Sequence, residues 1–169
     1  TLHTALEQAV KENMIPRNVC KAVELPKKTN KKKMKPYTKE QVKKFLKTAK
    51  SSRFYTAFYL ELHTGLRKGE LLGLKWKDLD YENQTLTIER QLLRTQEKGL
   101  ILREPKTESS LRTIPINEKV IKKLQSHKIK QNENKLFLGK AYHDYDLMFC
   151  IENGKPIDPR NFYREFKNI

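Results

Sequence analysis

Residues 63–80 of the chain read HTGLRKGELLGLKWKDLD, and the prediction of the fold starts from this stretch. Gly65 follows an apolar helical pattern, and glycine is the residue that most often ends a helix in the left-handed conformation. Arg67 comes just after that glycine, and Glu70 lies about one helical turn further on. The stretch therefore predicts a helix end and a short second helix that stops near Gly73.

Arg67 is a candidate phosphate ligand, because a guanidinium group pairs bidentately with phosphate oxygens and stays charged at any working pH. Glu70 is spaced so that its carboxylate could hold the guanidinium in place. The same spacing also fits an ordinary exposed ion pair within one helix, worth only about 0.3 kcal/mol. The spacing alone leaves both interpretations open.

The composition indicates an anionic partner. Lys and Arg total 36 against 20 acidic residues, which gives a net charge of +16. Such a surface attracts phosphates, so nucleic acid is the first candidate and an anionic membrane surface the alternative. No apolar run approaches the ~20 residues of a membrane span. The two cysteines and four histidines are scattered, and the carboxylates of residues 78–82 have no second cluster, so we predict no disulfide framework and no metal site.

The beginning of the chain predicts a helix followed by a linker. Residues 2–13 place Leu2, Leu6, Ala9 and Val10 on one helical face. Residues 27–35 hold six lysines in nine positions and almost no apolar side chain. Such a run predicts an extended tether, which could also follow a phosphate backbone.

The remainder predicts an α+β fold. Helices are predicted over about residues 38–49, over residues 53–64, from Asn117 to about residue 130, and from Asp158 onward. Residues 131–146 are polar and are predicted to be irregular. Strands are predicted over residues 85–89, 100–103 and 111–116. The expected architecture is mostly helical with a small three-stranded antiparallel sheet.

Lys106 is the second candidate site residue, because it lies in a polar turn between two predicted strands. A lysine at such a turn can reach into a groove and protonate a leaving alkoxide, a step that metal-free cleavage of a nucleic-acid strand requires. The alternative is a solvated loop lysine. Arg112, Ser109 and Ser110 could contact phosphates or could be exposed strand-edge residues.

These patterns together resemble the tyrosine recombinases, the phage-integrase family. The pattern TGLRxGExxGLxWxDLD at residues 64–80 resembles the first signature box of that family. PKT at 105–107 with RxIPI at 112–116 resembles its hairpin lysine and third strand. NGxPIDPxNFxxxF at 153–166 resembles the segment that leads to its second box, and residues 5–20 resemble the end of its helical core-binding domain.

The resemblance implies an organisation and a mechanism. Residues 1–26 would end the core-binding domain, 27–36 would be a basic linker, and 37–169 would be the first part of the catalytic domain. Family members cut one DNA strand with a tyrosine and form a 3′-phosphotyrosyl link. Arg67 would then clamp the non-bridging phosphate oxygens, Glu70 would orient Arg67, and Lys106 would be the general acid. No metal or other cofactor is implied.

The chain departs from the family pattern at its end. It has no His-x-x-Arg box, and Tyr142, Tyr145 and Tyr163 precede the place where the nucleophile is expected, so none is assigned that role. We therefore expect an incomplete chain that does not cleave DNA alone. The alternative is a non-catalytic DNA-binding remnant of an integrase.

The resemblance further implies double-stranded DNA as partner, a tetramer of the full-length protein on DNA, accessory DNA-bending or directionality factors, and a place in the bacterial cytoplasm at the nucleoid. No membrane partner is implied. The residues expected to contact DNA are Lys27, Lys28, Lys31, Lys32, Lys33, Lys35 and Arg112.

Overall fold

The structure is a computed structural model and describes residues 1–24, 35–104 and 111–169. The chain divides into two compact units, Thr1–Pro36 and Tyr37–Ile169. None of the helices within the described ranges is long and apolar enough to cross a membrane.

The first unit contains helix α1, Leu2–Lys11, and a 3₁₀ turn, Val19–Ala22. The Asn18 amide donates hydrogen bonds to the His3 carbonyl, at 3.1 Å, and to the Glu7 carboxylate, at 2.7 Å. These bonds tie the turn to the helix. The helix is two residues shorter than predicted, and Leu2 at its beginning is exposed, whereas the rest of the predicted apolar face is partly buried.

The first three helices of the second unit begin and end close to where the sequence predicts. They are α2, Lys39–Ala49, α3, Tyr55–Thr64, and α4, Lys68–Gly73. Thr38 and Gln41 form the predicted capping box at the beginning of α2. The structure confirms these boundaries because they depend on caps and turns, which are local interactions.

Within the residues that the structure describes, the strands form two separate antiparallel sheets. Strands β1, Leu79–Asp80, β2, Thr85–Ile88, and β5, Arg112–Pro115, make a three-stranded sheet in the order β1-β2-β5. Strands β3, Gln91–Thr95, and β4, Gly99–Arg103, form a hairpin of their own. The predicted three-stranded antiparallel sheet is confirmed, but residues 100–103 belong to the hairpin, and the third strand of the sheet is β1.

Helix α5, Glu118–Leu138, is longer than predicted. Asn117 caps it, as expected, but the helix continues through residues 131–138, which the polar composition had suggested were irregular. Gln, Glu, Lys and Leu are good helix formers, so these residues extend the helix although little of that segment is buried. Leu136 and Phe137 are accordingly 83% and 89% exposed.

The last helix, α6, is Pro159–Asn168, with Asp158 as its cap. Its apolar face joins an aromatic cluster formed with α2 and α3. The ring centroids of Phe58 and Phe162 are 4.7 Å apart, and those of Phe45 and Phe166 are 5.4 Å apart. The cluster is continuous with the main hydrophobic core, which positions α3 and the residues that follow it.

Candidate active site

Arg67 lies at the junction of α3 and α4. Gly65 ends α3 with a φ of 63°, the left-handed conformation that its lack of a side chain favours. Leu66 is buried directly after the turn, which anchors the chain there. Arg67 then has an extended backbone and is the N-cap of α4, with its side chain 77% exposed.

Glu70 is the buried partner of this arginine. Only 4% of the residue is exposed. Its Oε2 accepts a hydrogen bond from the backbone N–H of Arg67, and its Oε1 accepts one from the Arg67 guanidinium, both at 2.9 Å. The contact is therefore more than the exposed ion pair that the spacing allowed, because the carboxylate also caps α4.

Arg112 contacts the same carboxylate from another element. In the register of the sheet, Arg112 on β5 lies opposite Ile88 on β2. Its two terminal nitrogens donate to the two oxygens of Glu70, at 2.9 Å and 3.2 Å. The sequence suggests Arg112 as a possible phosphate contact but does not reveal its pairing with Glu70, because 42 residues separate the two.

The two arginines keep this carboxylate ionised. Burial raises the pKa of Glu70, but the hydrogen bonds from Arg112 and Arg67 outweigh that effect and bring the pKa to about 2. The hydrogen bond with Glu70 in turn raises the pKa of Arg112. The Arg67–Glu70–Arg112 cluster thus carries a net charge of +1 at working pH and can attract an anion.

Close packing against the β3–β4 hairpin fixes α4. A Cβ added at Gly73 would lie 3.0 Å from the Cα of Gln91 and 3.1 Å from the Arg90 carbonyl oxygen. One added at Gly69 would lie 3.1 Å from the carbonyl oxygen of Leu92. Because backbone atoms occupy these positions, only glycine allows the helix to approach the hairpin so closely.

A buried ion pair holds the segment between α4 and the hairpin. Arg90 donates to the Asp78 carboxylate, which also accepts from the backbone N–H of Lys75 at 2.7 Å. The side chain of Asp78 is only 2% exposed. Asp78 therefore has a structural partner, and no cluster of potential metal ligands occurs among the residues that the structure describes.

Two histidines and a tyrosine of the second unit have structural contacts. The ring centroids of His63 and Tyr59 are 4.2 Å apart, with the rings tilted by 32°. His127 is hydrogen-bonded to the Met148 carbonyl. Burial lowers the pKa of His127 and raises that of the Tyr142 hydroxyl, which lies against Cys150. Each of the three side chains thus has a contact within the fold of the second unit.

Several predicted site residues lie outside the described ranges. Lys106 is one of them, as are Ser109 and Ser110, so the predicted turn lysine remains a prediction. The same holds for the linker residues Lys27, Lys28, Lys31, Lys32 and Lys33. Of the linker lysines selected from the sequence, Lys35 is described, and it is exposed.

The geometry brings an exposed guanidinium and a half-buried one around a single buried carboxylate. The hydrogen bonds of Glu70 hold Arg67 through its backbone and one terminal nitrogen. The rest of this exposed guanidinium can bind an anion from solvent. Because a guanidinium matches the geometry of a phosphate group, the cluster is suited to hold a phosphate in a fixed orientation.

The sequence of the chain matches a protein-family model and several known proteins. Residues 35–169 match the family model described as the phage integrase family. A tyrosine recombinase XerC-like protein of Caldanaerobacter subterraneus subsp. tengcongensis is 35% identical, over 99% of this chain and 47% of that protein. The ICEBs1 integrase of Bacillus subtilis is 32% identical, over 99% of this chain and 45% of that protein.

The structure of the chain is also similar to solved structures of integrases. The Tn1549 transposon integrase in complex with a circular intermediate DNA matches with a TM-score of 0.75 and 29% identity, over 98% of this chain and 55% of that chain. A lambda integrase dimer bound to a COC′ core site matches with a TM-score of 0.58 at 21% identity, over 99% of this chain and 41% of that one, which shows the fold. The chain spans about half the length of the curated relatives it matches.

Proposed function

Since this chain belongs to the phage integrase family, the tyrosine recombinases, we propose that the whole protein is a site-specific recombinase of a mobile element. It would cut and rejoin duplex DNA through a 3′-phosphotyrosyl intermediate. The observation that carries the proposal is the Arg67–Glu70–Arg112 cluster, all of which lies within the residues that match the family model. Arg67 and Glu70 belong to the pattern that resembles the family's first box, and Arg112 belongs to the pattern that resembles its third strand. Relatives described as the ICEBs1 integrase and the Tn916 transposase support an action on mobile elements.

Arg67 is the proposed ligand of the scissile phosphate. As a tyrosine oxygen attacks phosphorus, negative charge builds up on the non-bridging oxygens. A fixed guanidinium stabilises that charge without reorganising during the reaction. Glu70 fixes the guanidinium, and it does so at any working pH because its own pKa is about 2.

Lys106 is the proposed general acid. The bond between phosphorus and the 5′ oxygen breaks as the phosphotyrosyl bond forms, and the departing oxygen takes a proton from the ammonium group of Lys106. An unprotonated alkoxide leaves poorly, so this proton transfer accelerates cleavage. Phosphotyrosine conserves the bond energy for religation, so the proposal includes no metal or nucleotide cofactor.

The proposal assigns the nucleophile and the remaining phosphate ligands to a part of the protein that follows the Asn153–Phe166 pattern. We therefore expect the polypeptide of residues 1–169 to bind DNA without cutting it, because a phosphate clamp without its remaining ligands loses most of its binding to the transition state. The full-length protein would act as a tetramer on DNA, with accessory factors, in the cytoplasm of the bacterial host.

The basic residues of the linker are the proposed contacts to the DNA backbone. Residues 1–26, which precede the linker, are proposed to be the end of a core-binding domain. Phosphate contacts of this kind position a protein on the duplex and make binding depend strongly on salt. The proposed contacts in the linker are Lys27, Lys28, Lys31, Lys32, Lys33 and Lys35. Arg112, which the sequence also suggests as a contact, donates to Glu70 through both of its terminal nitrogens.

The decisive experiment traps the covalent intermediate. The whole protein is incubated with a nicked DNA substrate that loses a short strand after cleavage, and the protein–DNA adduct is measured. Arg67→Ala and Lys106→Ala should each abolish adduct formation while DNA affinity stays close to that of the wild type. Arg53→Ala is the matched control, because Arg53 is also exposed and paired with a glutamate.

Two results would contradict the proposal. Near-normal cleavage by both variants would exclude the assigned roles. Absence of an adduct with the whole wild-type protein, despite specific DNA binding, would instead support a non-catalytic DNA-binding remnant.

A further inference from the structure

The contacts of Arg112 do not fit a residue that binds DNA phosphates directly. Its side chain is 32% exposed, against 77% for Arg67, and both of its terminal nitrogens donate to Glu70. It thus contacts a buried carboxylate with the end of the side chain that a phosphate ligand would use. Its geometry differs from that of Arg67, which gives Glu70 only one of its side-chain nitrogens.

We propose that Arg112 is a positioning residue that acts through Glu70, holding the carboxylate in the orientation in which it braces Arg67 against the scissile phosphate. The inference rests on the function proposed above. In this role, Arg112 accelerates DNA cleavage only when Glu70 is present. Its loss should slow cleavage more than the loss of a side chain that only contacts the DNA backbone.

The hydrogen bonds on Glu70 support this role. Each carboxylate oxygen accepts one bond from Arg67 and one from Arg112, so Oε1 and Oε2 both have two donors. A carboxylate has about four acceptor positions, and these four donors occupy them. Loss of Arg112 would leave half of these positions empty at a buried site, and the carboxylate could then rotate or take up a proton.

The charges around Glu70 come from two elements. Among the residues that the structure describes, those that form ion pairs with Glu70 are Arg67, at the beginning of the same helix, and Arg112, on β5. Helix α4 therefore supplies one of the two cations that compensate the buried charge, and the sheet supplies the other.

A double-mutant cycle separates positioning from direct contact. The rate of adduct formation in a single turnover is measured for the whole protein and for Arg112→Gln, Glu70→Gln and the double variant. We expect Arg112→Gln to slow cleavage by about tenfold or more, by analogy with the loss of groups that orient the ligands of a metal ion. The double variant should then be no slower than Glu70→Gln alone, because Arg112 has nothing left to position.

The inference would be overturned if the two substitutions slowed cleavage independently of each other. If the double variant is slower than Glu70→Gln by the full factor of Arg112→Gln, then Arg112 acts on the DNA independently of Glu70. Arg112→Lys keeps the charge but loses the bidentate contact with Glu70, so it should recover part of the cleavage rate. It replaces Arg112→Gln in the cycle if that variant does not fold. Arg103→Gln, on strand β4 of the separate hairpin, is the control for loss of a strand arginine.

A second readout does not depend on cleavage. Carboxyl ¹³C NMR of the whole protein without DNA follows the protonation of Glu70. In the wild type Glu70 should stay ionised to about pH 2, whereas in Arg112→Gln its pKa should rise because burial is opposed by Arg67 alone. An unchanged titration would refute the inference even if the wild type cleaves DNA. A shifted titration with no cleavage by the wild type would contradict only the proposed function.

Discussion

At the scale of single residues, the candidate site depends on one carboxylate. Glu70 is buried, caps its own helix and neutralises part of the charge of two arginines from different elements. A surface ion pair contributes little because water competes for both partners. Glu70 is shielded from that competition, so its hydrogen bonds determine where Arg67 lies.

Replacement of Glu70 should change how stability depends on pH. The folded-state pKa of about 2 lies below the ordinary 4.5, so the ionised carboxylate stabilises the fold above pH 4.5, and this contribution is lost as the pH falls towards 2. Glu70→Gln should therefore lower the free energy of unfolding by ~2 kcal/mol at pH 7, and the difference from the wild type should shrink between pH 5 and 2.

Urea unfolding at several pH values measures this difference. Glu133→Gln, on the exposed part of α5, should keep the pH dependence of the wild type. A difference between Glu70→Gln and the wild type that stays constant down to pH 2 would show that the charge of Glu70 does not contribute to stability.

At the scale of secondary-structure elements, the hairpin acts as a support for the helix that carries Glu70. The backbone of residues 90–92 lies against Gly69 and Gly73, and Arg94 on β3 pairs with Asp158, the cap of α6. The hairpin thus connects α4 with α6, although all three are distant in sequence. Substitutions that displace the hairpin should therefore also displace α4 and the Arg67–Glu70–Arg112 cluster.

Gly73→Ala should destabilise the protein, although alanine is the better helix former by about 1 kcal/mol. The added methyl group would meet three backbone atoms at 3.0–3.1 Å, and overpacking of this kind costs on the order of 1–3 kcal/mol. Thermal unfolding followed by circular dichroism should show a melting temperature several degrees lower. Gly69→Ala should have a smaller effect, since only one backbone atom is that close. An unchanged or higher melting temperature for Gly73→Ala would disprove the close packing.

The cap of α6 offers a test that separates a hydrogen bond from an ion pair. Asp158 accepts from the backbone N–H of Arg160 at 2.8 Å and also pairs with Arg94, whose side chain is 45% exposed. Asp158→Asn keeps a capping oxygen and should change the free energy of unfolding by less than about 0.5 kcal/mol. Asp158→Ala loses the cap and should cost about 1 kcal/mol. Equal losses in urea unfolding would assign the stabilisation to the ion pair instead.

Elements fixed by local interactions could be predicted from the sequence. Thr38 with Gln41, Gly65, Asn117 and Asp158 each mark a helix boundary, and the structure confirms each of them. The length of α5 could not be predicted, because a polar segment can be an exposed helix or a loop.

The composition of the site could be predicted only in part. The Arg67–Glu70 contact follows from a spacing of three residues. The contact of Arg112 depends on the pairing of β2 with β5, and the allocation of residues 100–103 to a separate hairpin depends on pairing as well. Strand pairing is set by contacts between distant residues, which a single sequence does not reveal.

At the scale of the whole molecule, the chain carries a net charge of +16, and six of its lysines fall within residues 27–35. If the linker lysines contact DNA phosphates, replacing Lys27, Lys28, Lys31, Lys32, Lys33 and Lys35 with glutamine should weaken binding to all sequences alike. The slope of log affinity against log salt should fall by about 0.9 for each phosphate that the variant no longer neutralises.

Fluorescence anisotropy over a range of salt concentrations measures that slope. A matched control replaces Lys122 and Lys135, which are paired with acidic residues, and should change the slope less per lysine. An unchanged slope for the linker variant would show that the linker does not contact the phosphates.

The nesting of the β3–β4 hairpin between β2 and β5 also predicts the order in which the molecule folds. Residues 89–111 separate the two strands, and the entropy cost of bringing chain ends together grows with the length of the loop. A hairpin forms within about 1–10 μs, so β3–β4 can form first and shorten the loop that β2 and β5 must close. Arg112 reaches Glu70 only when that closure occurs. The Arg67–Glu70–Arg112 cluster is therefore among the last features to assemble, and a chain that has not closed this loop lacks the second arginine that holds Glu70.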